Sequence, residues 1–252
     1  MKANSILLLI STTIYASIDG DNAILQKDNH HRGIVFSQNY SQENSPPEVK
    51  ILMPEDNKVY TWNTQVRYVI NVSDATDGDS KYGEIDGNKV LLEIEYLPAG
   101  KEGATAEQIK KAQATPEPKG LALLKQSTCL GCHADKTRVA GPSFQEIAGK
   151  YEQNAAVISS LAAHIVKGSS GIWGSMEMPA HPDLTEDEAT QIADYILKQG
   201  ANKYRWIYPG LEGAFRIINK PEKNPEGIYI LTARYTTKSN VPGMQSIILK
   251  IK

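Results

Sequence analysis

The chain has 252 residues, a formal net charge of −2 and a hydrophobic content of 40%. This length allows one large domain or two small ones, and we expect two. A near-neutral charge with a sequence pI near 6.2 provides no basic face for a phosphate backbone, so nucleic acid is not an expected partner. The two cysteines are three positions apart, which excludes a disulfide framework.

The N-terminus has the layout of a short secretory signal. Lys2 precedes the apolar run 6–10, and the small residue Ala16 provides a cleavage point. We therefore predict a signal peptide at residues 1–16 and a periplasmic or otherwise exported protein. The apolar run is too short to span a bilayer, so no transmembrane segment is expected after cleavage. The polar composition of residues 17–45 predicts a linker.

Residues 46–98 have the alternation that is typical of half-buried β-strands. Residues 66–72 are rich in β-branched side chains. In residues 90–96, apolar side chains alternate with Glu93 and Glu95. The segment therefore predicts antiparallel strands that bury one face.

The composition then changes twice along the chain. Residues 99–117 are rich in Ala, Lys, Glu and Pro, which favours a linker, and residues 118–201 have the apolar spacing of helices. Residues 202–252 return to strands. Each β segment is about half as long as an immunoglobulin-like sandwich of ~100 residues. Our hypothesis is that residues 46–98 and 202–252 form one discontinuous sandwich around an inserted helical domain; two separate small β modules are the alternative.

One short motif in the helical segment carries specific chemistry: Cys129-Leu130-Gly131-Cys132-His133. This spacing presents two thiols to the two vinyl groups of a haem, while the adjacent imidazole reaches the iron. A redox dithiol would need a βαβ context, and a zinc site would need a second pair of ligands. Neither context is visible, so the motif predicts one covalently bound haem c.

Three further stretches extend this motif into a family resemblance. A helix-forming stretch at 120–125 precedes the motif, a Gly-Pro pair stands at 141–142, and a Gly-rich loop with tryptophan and methionine spans 168–179. With these stretches, residues 118–200 resemble the small class I (monohaem) c-type cytochromes of bacteria. The resemblance implies an all-α domain that transfers electrons.

The resemblance also implies roles for individual residues. Gly120 would allow the first helix to contact another closely, and the carbonyl of Pro142 would accept the N–H of His133. Such an acceptor fixes the tautomer of the imidazole and strengthens it as a ligand. Trp173 would lie against the haem, and Met178 would bind the iron opposite His133.

Met178 is preferred over its neighbour Met176 because Pro179 follows it, as the family pattern requires. A thioether is a soft, neutral ligand that raises the reduction potential of a His-ligated haem and leaves no open position on the iron.

Two histidines are weaker candidates. His164 lies beside the apolar stripe of a helix predicted from its N-cap Asn154 to Lys167, and is a minor candidate for an iron ligand. His181 is close to the methionine loop and is a minor candidate for tuning the local field, because the prolines on either side direct it away from coordination.

The last helix of this segment has clear boundaries in the sequence. Thr185 and Glu188 form a capping box, and Gly200 is predicted to lie just past the end. In the family this helix crosses the first one through an aromatic side chain, which the resemblance assigns to Tyr195.

The β segments resemble a second family. Residues 47–51, the strand 66–72 and the loop 73–79 resemble PKD-like modules that accompany cytochrome domains at the C-terminal end of large bacterial sugar dehydrogenases. This resemblance implies a sugar dehydrogenase as redox partner, with the chain a detached or truncated relative of such a fusion. The loop also offers carboxylate oxygens as ligands for Ca²⁺, from Asp74, Asp77 and Asp79. A solvated acidic loop is the favoured interpretation.

Together these features predict a multidomain α and β protein in which an all-α cytochrome c domain is combined with an immunoglobulin-like (PKD-like) β-sandwich. The favoured function is electron transfer through a haem bound by Cys129 and Cys132 and ligated by His133 and Met178, without enzymatic activity. A haem peroxidase or oxidase is one alternative, and it would need a vacant sixth position. The other alternative is a β module that binds carbohydrate or protein, with an auxiliary haem.

Overall fold

The computed structural model describes residues 23–26, 35–38, 45–98, 116–218 and 226–252. The predicted signal peptide at 1–16, and most of the linkers predicted at 17–45 and 99–117, lie outside these residues. Two antiparallel strands are described in residues 1–44, β1 (Ala23–Gln26) and β2 (Val35–Gln38). They lie within the segment predicted as a linker.

Residues 45–252 form a second unit, whose strands make two sheets. These strands are β3 (Glu48–Met53), β4 (Val59–Tyr60), β5 (Gln65–Asp74), β6 (Gly78–Asp79), β7 (Leu91–Pro98), β8 (Arg205–Pro209), β9 (Glu212–Arg216), β10 (Gly227–Thr236) and β11 (Pro242–Ile251). The five-stranded sheet has the order β4-β11-β10-β7-β8. The four-stranded sheet is built around β5, which pairs with β3, β6 and β9.

Strands from the two sides of the helical segment are neighbours in both sheets. In one sheet β5 pairs with β9, with Val66 opposite Phe215. In the other, β7 lies between β8 and β10, with Leu92 opposite Tyr208 on one side and Ala233 on the other. Both sheets therefore combine chain from before and after the helices, and we call residues 45–98 and 202–252 together the β region.

The two sheets share one hydrophobic core. Side chains at alternate positions of each strand point into it, including Tyr68 and Val72 from β5 and Ile94 from β7. This alternation follows from the pleat, which turns successive side chains to opposite faces. Aromatic rings fill the centre, where Trp206 stacks on Tyr229 at a centroid distance of 5.8 Å.

Four α-helices make up the helical region, which comprises residues 118–201: α1 (Lys119–Gln126), α2 (Phe144–Lys150), α3 (Ala155–Lys167) and α4 (Glu186–Ala201). The side chain of Asn154 caps α3, as predicted. The predicted capping box of Thr185 and Glu188 at the start of α4 is confirmed, and a second box begins α2. Each box satisfies N–H groups that the first helical turn leaves unpaired.

Two glycines allow the helices to approach closely. A Cβ atom on Gly120 of α1 would lie 2.3 Å from the carbonyl oxygen of Gln191 and 2.6 Å from Cβ of Tyr195, both in α4. The prediction that α4 ends before Gly200 is wrong by two residues, because the helix continues through Ala201. At Gly200 the missing side chain serves packing instead, since a Cβ there would lie 2.0 Å from the carbonyl oxygen of Phe144.

The helical region packs directly against the five-stranded sheet. Leu91 of β7 and Ile207 of β8 are buried in the core of the helices rather than in the core between the sheets. None of the helices in the described residues is long and apolar enough to cross a membrane.

Candidate haem site

The two cysteines lie on a single turn that follows α1. A 3₁₀ turn spans Cys129–Gly131, and the N–H groups of Cys132 and His133 both donate to the carbonyl of Cys129, at 3.1 and 2.9 Å. Both cysteines are free thiols; Cys129 is buried and Cys132 is exposed. This turn therefore presents two sulfur atoms and one imidazole from five consecutive residues.

His133 is held in one orientation by the loop that follows it. Its Nδ1 lies 2.7 Å from the carbonyl oxygen of Pro142. Because a carbonyl only accepts hydrogen bonds, Nδ1 carries the proton and Nε2 keeps its lone pair for a metal. Gly141 lies against the ring, where an added Cβ would be 2.4 Å from Cε1 of His133. Any larger residue at position 141 would displace the imidazole.

A second loop brings methionine to the site. At the end of α3, Gly168 adopts a positive φ of 77°, a conformation that glycine tolerates best. Ser169 and Met178 then exchange two backbone hydrogen bonds, of 2.8 and 3.0 Å, which close the loop between them. Met178 is partly buried against the helical core, whereas the side chain of Met176 is 66% exposed. The loop therefore fixes Met178 and leaves Met176 at the surface.

These residues line one cavity of about 330 Å³. Its walls include Cys129, Cys132, His133, Trp173 and Met178, together with apolar side chains of all the helices except α1. Met176 and His164 line it as well. With two thiols, the oriented imidazole of His133 and the thioether of Met178 in apolar surroundings, the cavity fits a covalently attached haem that has His and Met as iron ligands.

Trp173 lies in a basic and aromatic environment beside this cavity. Lys150 Nζ is 4.4 Å from the centre of a Trp173 ring, and the guanidinium of Arg138 is 5.7 Å away. The ring of Tyr151 meets it edge-on at 6.3 Å. Arg138 also forms an ion pair of 2.9 Å with Glu146. Cations over an aromatic face are attracted by its quadrupole, so this cluster fixes the ring.

The two other candidate histidines differ in their positions. His164 lines the cavity. It therefore lies closer to the site than its predicted position beside the apolar stripe of the helix indicated. His181 is not among the lining residues, and its backbone N–H donates to the carbonyls of Ile165 and Val166.

The predicted calcium ligands do not form a metal site. Asp74 accepts N–H groups of its own loop, Asp79 accepts the N–H of Lys81 in the turn that follows, and Asp77 accepts from the hydroxyl of Tyr235 at 2.7 Å. Within the described part of the chain, no group of three His, Cys, Asp or Glu residues could hold a metal ion. The calcium prediction is therefore not supported, because these carboxylates serve the loop and its neighbouring strand.

Comparison with known proteins decides the family of the helical region. A family model described as cytochrome c matches residues 118–200. Cytochrome c-551 of Stutzerimonas stutzeri is 39% identical over 95 residues, which are 38% of this chain and 86% of the relative. Cytochrome c-551 of Azotobacter vinelandii is 41% identical over 78 residues, 31% of this chain and 94% of the relative. This chain belongs to the cytochrome c family.

Among solved structures, wild-type cytochrome c552 of Nitrosomonas europaea is 37% identical; the match covers 31% of this chain and 98% of that one, with a TM-score of 0.30. Family membership means that this cytochrome c binds haem covalently and works in electron transfer. The matched residues 118–200 do not include the β region. Its assignment as PKD-like stays a prediction.

Sequence reasoning missed three residues around the site. Arg138 and Lys150 flank Trp173, and Gly141 makes room for the imidazole. The sequence identified the Gly-Pro pair as part of the family pattern, but the space that the imidazole requires at position 141 becomes visible only in the structure. The two basic residues come from α2 and the loop before it, and no spacing in the sequence connects them with a tryptophan on a later loop.

Proposed function

We propose that this cytochrome is a one-electron carrier whose single haem is joined to Cys129 and Cys132 and ligated by His133 and Met178. The observation that carries the proposal is that both thiols, the imidazole and the thioether line the same apolar cavity. The haem, when bound, supplies an iron that alternates between the ferrous and ferric states.

Residues of the protein orient the two proposed iron ligands and keep water away from the site. The carbonyl of Pro142 accepts the Nδ1–H of His133, which orients the ring and leaves Nε2 as the nitrogen that would bind iron. The paired backbone of Ser169 and Met178 keeps the thioether in place. An apolar cavity excludes water, which together with methionine ligation favours a high reduction potential.

The basic groups near Trp173 suit the carboxylate side chains of a haem. Arg138 lines the cavity, and its ion pair with Glu146 leaves other guanidinium N–H groups available. We assign Arg138 and Trp173 to the propionate side of the haem, because a buried carboxylate requires a cation or a donor beside it.

For the redox partner, we propose a periplasmic sugar dehydrogenase that donates electrons to this haem. The resemblance of the β segments to PKD-like modules of dehydrogenase fusions supports this partner, and the predicted signal peptide supports the location. Capture of purified periplasmic dehydrogenases by the haem-loaded protein, followed by haem reduction on addition of the sugar, tests it. A dehydrogenase that binds without reducing the haem would contradict the proposal.

Met178 distinguishes electron transfer from the peroxidase alternative. We expect the ferric protein to show the long-wavelength absorption band of methionine-to-iron coordination, and Met178→Ala to abolish it. Met176→Ala is the matched control, since that exposed side chain lies on the same loop, and it should keep the band. A high-spin ferric spectrum in the parent protein, or loss of the band in Met176→Ala alone, would overturn the assignment.

A further inference from the structure

The edge of the five-stranded sheet ends against the haem-attachment loop. β8 is the last strand of that sheet, so one side of its backbone pairs with β7, and no strand of the described residues lies on the other side. Unpaired N–H and C=O groups at a sheet edge must find other partners when they are buried. On β8 the groups concerned are the N–H of Ile207 and the carbonyl of Arg205.

Two side chains of the helical region take the place of the missing strand. Oδ2 of Asp135 accepts the N–H of Ile207 at 3.0 Å. Nε2 of Gln199 donates to the same Oδ2 at 3.1 Å and lies 3.3 Å from the carbonyl oxygen of Arg205. Asp135 and Gln199 are each only 4% exposed. Buried, charge-assisted hydrogen bonds of this kind are stronger than neutral ones.

Asp135 is also close to the proposed iron ligand in the chain. It follows His133 by two residues, and the intervening backbone is fixed as well: the carbonyls of Ala134 and Asp135 accept the N–H groups of Phe144 and Gln145, each at 3.0 Å. The segment 133–135 is thus held against α2 through its backbone and against β8 through the carboxylate of Asp135.

The neighbouring Lys136 strengthens the same junction. Its Nζ donates to the carbonyl of Asn202, just after α4, at 2.7 Å and lies 3.6 Å from Oδ1 of Asp135. A cation at the C-terminal end of a helix is favourable because the carbonyl dipoles point there. The attachment loop, the end of α4 and the start of β8 therefore meet in one buried polar cluster.

We propose that Asp135 is a positioning residue through which strand β8 fixes the imidazole of His133, so that the β region takes part in orienting the side chain that would bind the haem iron. The inference rests on the proposed His133 and Met178 ligation. Ile207 lies outside residues 118–200, which match the cytochrome c family model, so the contact joins the family domain to the β region. A rigid ligand set is useful to an electron carrier because it limits the rearrangement that accompanies each change of charge.

The test compares Asp135→Ala, Asp135→Asn and Asp194→Ala in the full-length, haem-loaded protein. Two rates are measured: displacement of the methionine ligand by added imidazole, and hydrogen exchange of the Ile207 amide. We expect Asp135→Ala to raise both about tenfold, the factor that corresponds to 1.4 kcal/mol and a reasonable value for one buried hydrogen bond. Asp135→Asn should raise both rates by less than Asp135→Ala does, because its amide oxygen can still accept the N–H of Ile207 although the negative charge is lost.

Asp194→Ala is the matched control, since this aspartate lies on α4 and pairs with Lys198 away from the junction. It should change neither rate. Gln199→Met provides a milder variant if Asp135→Ala does not fold, and we expect a smaller rise of both rates.

Three outcomes would overturn the inference. The first is faster exchange at Ile207 with unchanged imidazole displacement, which would show that β8 does not act on the haem. The second is unchanged exchange at Ile207. The third is an equal effect of Asp135→Asn and Asp135→Ala on both rates, because a positioning hydrogen bond is retained by the amide. A parent protein without the methionine band would instead overturn the ligation proposal, and the inference with it.

Discussion

The helical region and the β region differ in how far apart in the sequence the residues lie that work together. In the helical region, five consecutive residues provide both cysteines and a histidine, and a single loop provides Met178. In the β region, neighbours come from distant chain: Gln65 pairs with Arg216 and Leu91 with Pro209. A site made of local motifs can be transferred between proteins together with its segment, whereas the sheets that support it exist only when both ends of the chain are present.

The two regions are nevertheless in direct contact with each other. Leu91 and Ile207 belong to strands, yet they are buried among the helices. Their burial predicts that the two regions unfold together, although only one of them carries the haem.

The largest effect is expected from Leu91→Ala, compared with Leu92→Ala. Both leucines are fully buried, but Leu91 faces the helices and Leu92 faces the core between the sheets. Each truncation leaves a cavity and should cost about 2–5 kcal/mol of unfolding free energy. Denaturant unfolding is followed through haem absorbance for the helices and far-ultraviolet circular dichroism for the whole chain.

If the regions unfold as one, both signals shift together in both variants. Separate transitions, with Leu92→Ala leaving the haem signal unchanged, would show that the helical region unfolds independently.

A smaller effect is expected from Gly120→Ala, which tests the helical region alone. The added Cβ would collide with the backbone of α4 at Gln191, so we expect a loss of about 2 kcal/mol in unfolding free energy. Gly149→Ala is the control, because no atom lies within 4 Å of a Cβ at that exposed helical position. There the better helix propensity of alanine should stabilise the protein by up to about 1 kcal/mol. Equal destabilisation by both variants would contradict the close helix contact.

The smallest effect is expected in the β region, from Tyr235→Phe. Burial raises the pKa of Asp77, but hydrogen bonds from the Tyr235 hydroxyl and the Lys238 amide outweigh burial and hold that pKa below its usual value. Loss of the hydroxyl should cost about 1 kcal/mol at pH 7. Tyr82→Phe, at a tyrosine that is 72% exposed, is the control and should have no effect.

The pH dependence of the same variant has a definite sign. A carboxyl with a lowered folded pKa contributes stability above its unfolded pKa, near pH 4, and this contribution is lost as the pH falls through the folded pKa. Tyr235→Phe raises the folded pKa of Asp77, so the stability difference from the parent should shrink as the pH falls below about 4. Thermal unfolding between pH 2 and pH 7 measures it; a difference that grows towards acid would contradict the role of Asp77.

The sequence predicted the helices better than the arrangement of the strands. Helix starts depend on a few adjacent residues, so Asn154 and Thr185 could be identified as caps from their neighbours alone. A strand pattern shows which side chains share a face, but it does not name the strand alongside. The pairing of β8 with β7 and the covering of its edge by Asp135 depend on contacts between residues far apart in the chain.

The errors at the site have similar causes. Glycine is common at helix ends, but at Gly200 it is the close approach of the Phe144 carbonyl that leaves no room for a side chain. The three aspartates at the β5–β6 turn match the spacing of calcium ligands, yet their hydrogen-bond donors are N–H groups and a tyrosine hydroxyl. In each case the residue type fits two roles, and a tertiary neighbour selects one of them.

The antiparallel pairing of β7 with β8 has a consequence for the order of folding. Their innermost pair is Glu95 with Arg205, so the whole helical region occupies the loop of a two-stranded hairpin. Closing a loop costs entropy that grows with its length, and packing of α1 against α4 shortens the flexible chain before the strands meet. We expect helical circular dichroism to return before strand-sensitive signals in stopped-flow refolding. The helical region, which carries the haem site, would then fold first and act as the nucleus on which the β region assembles.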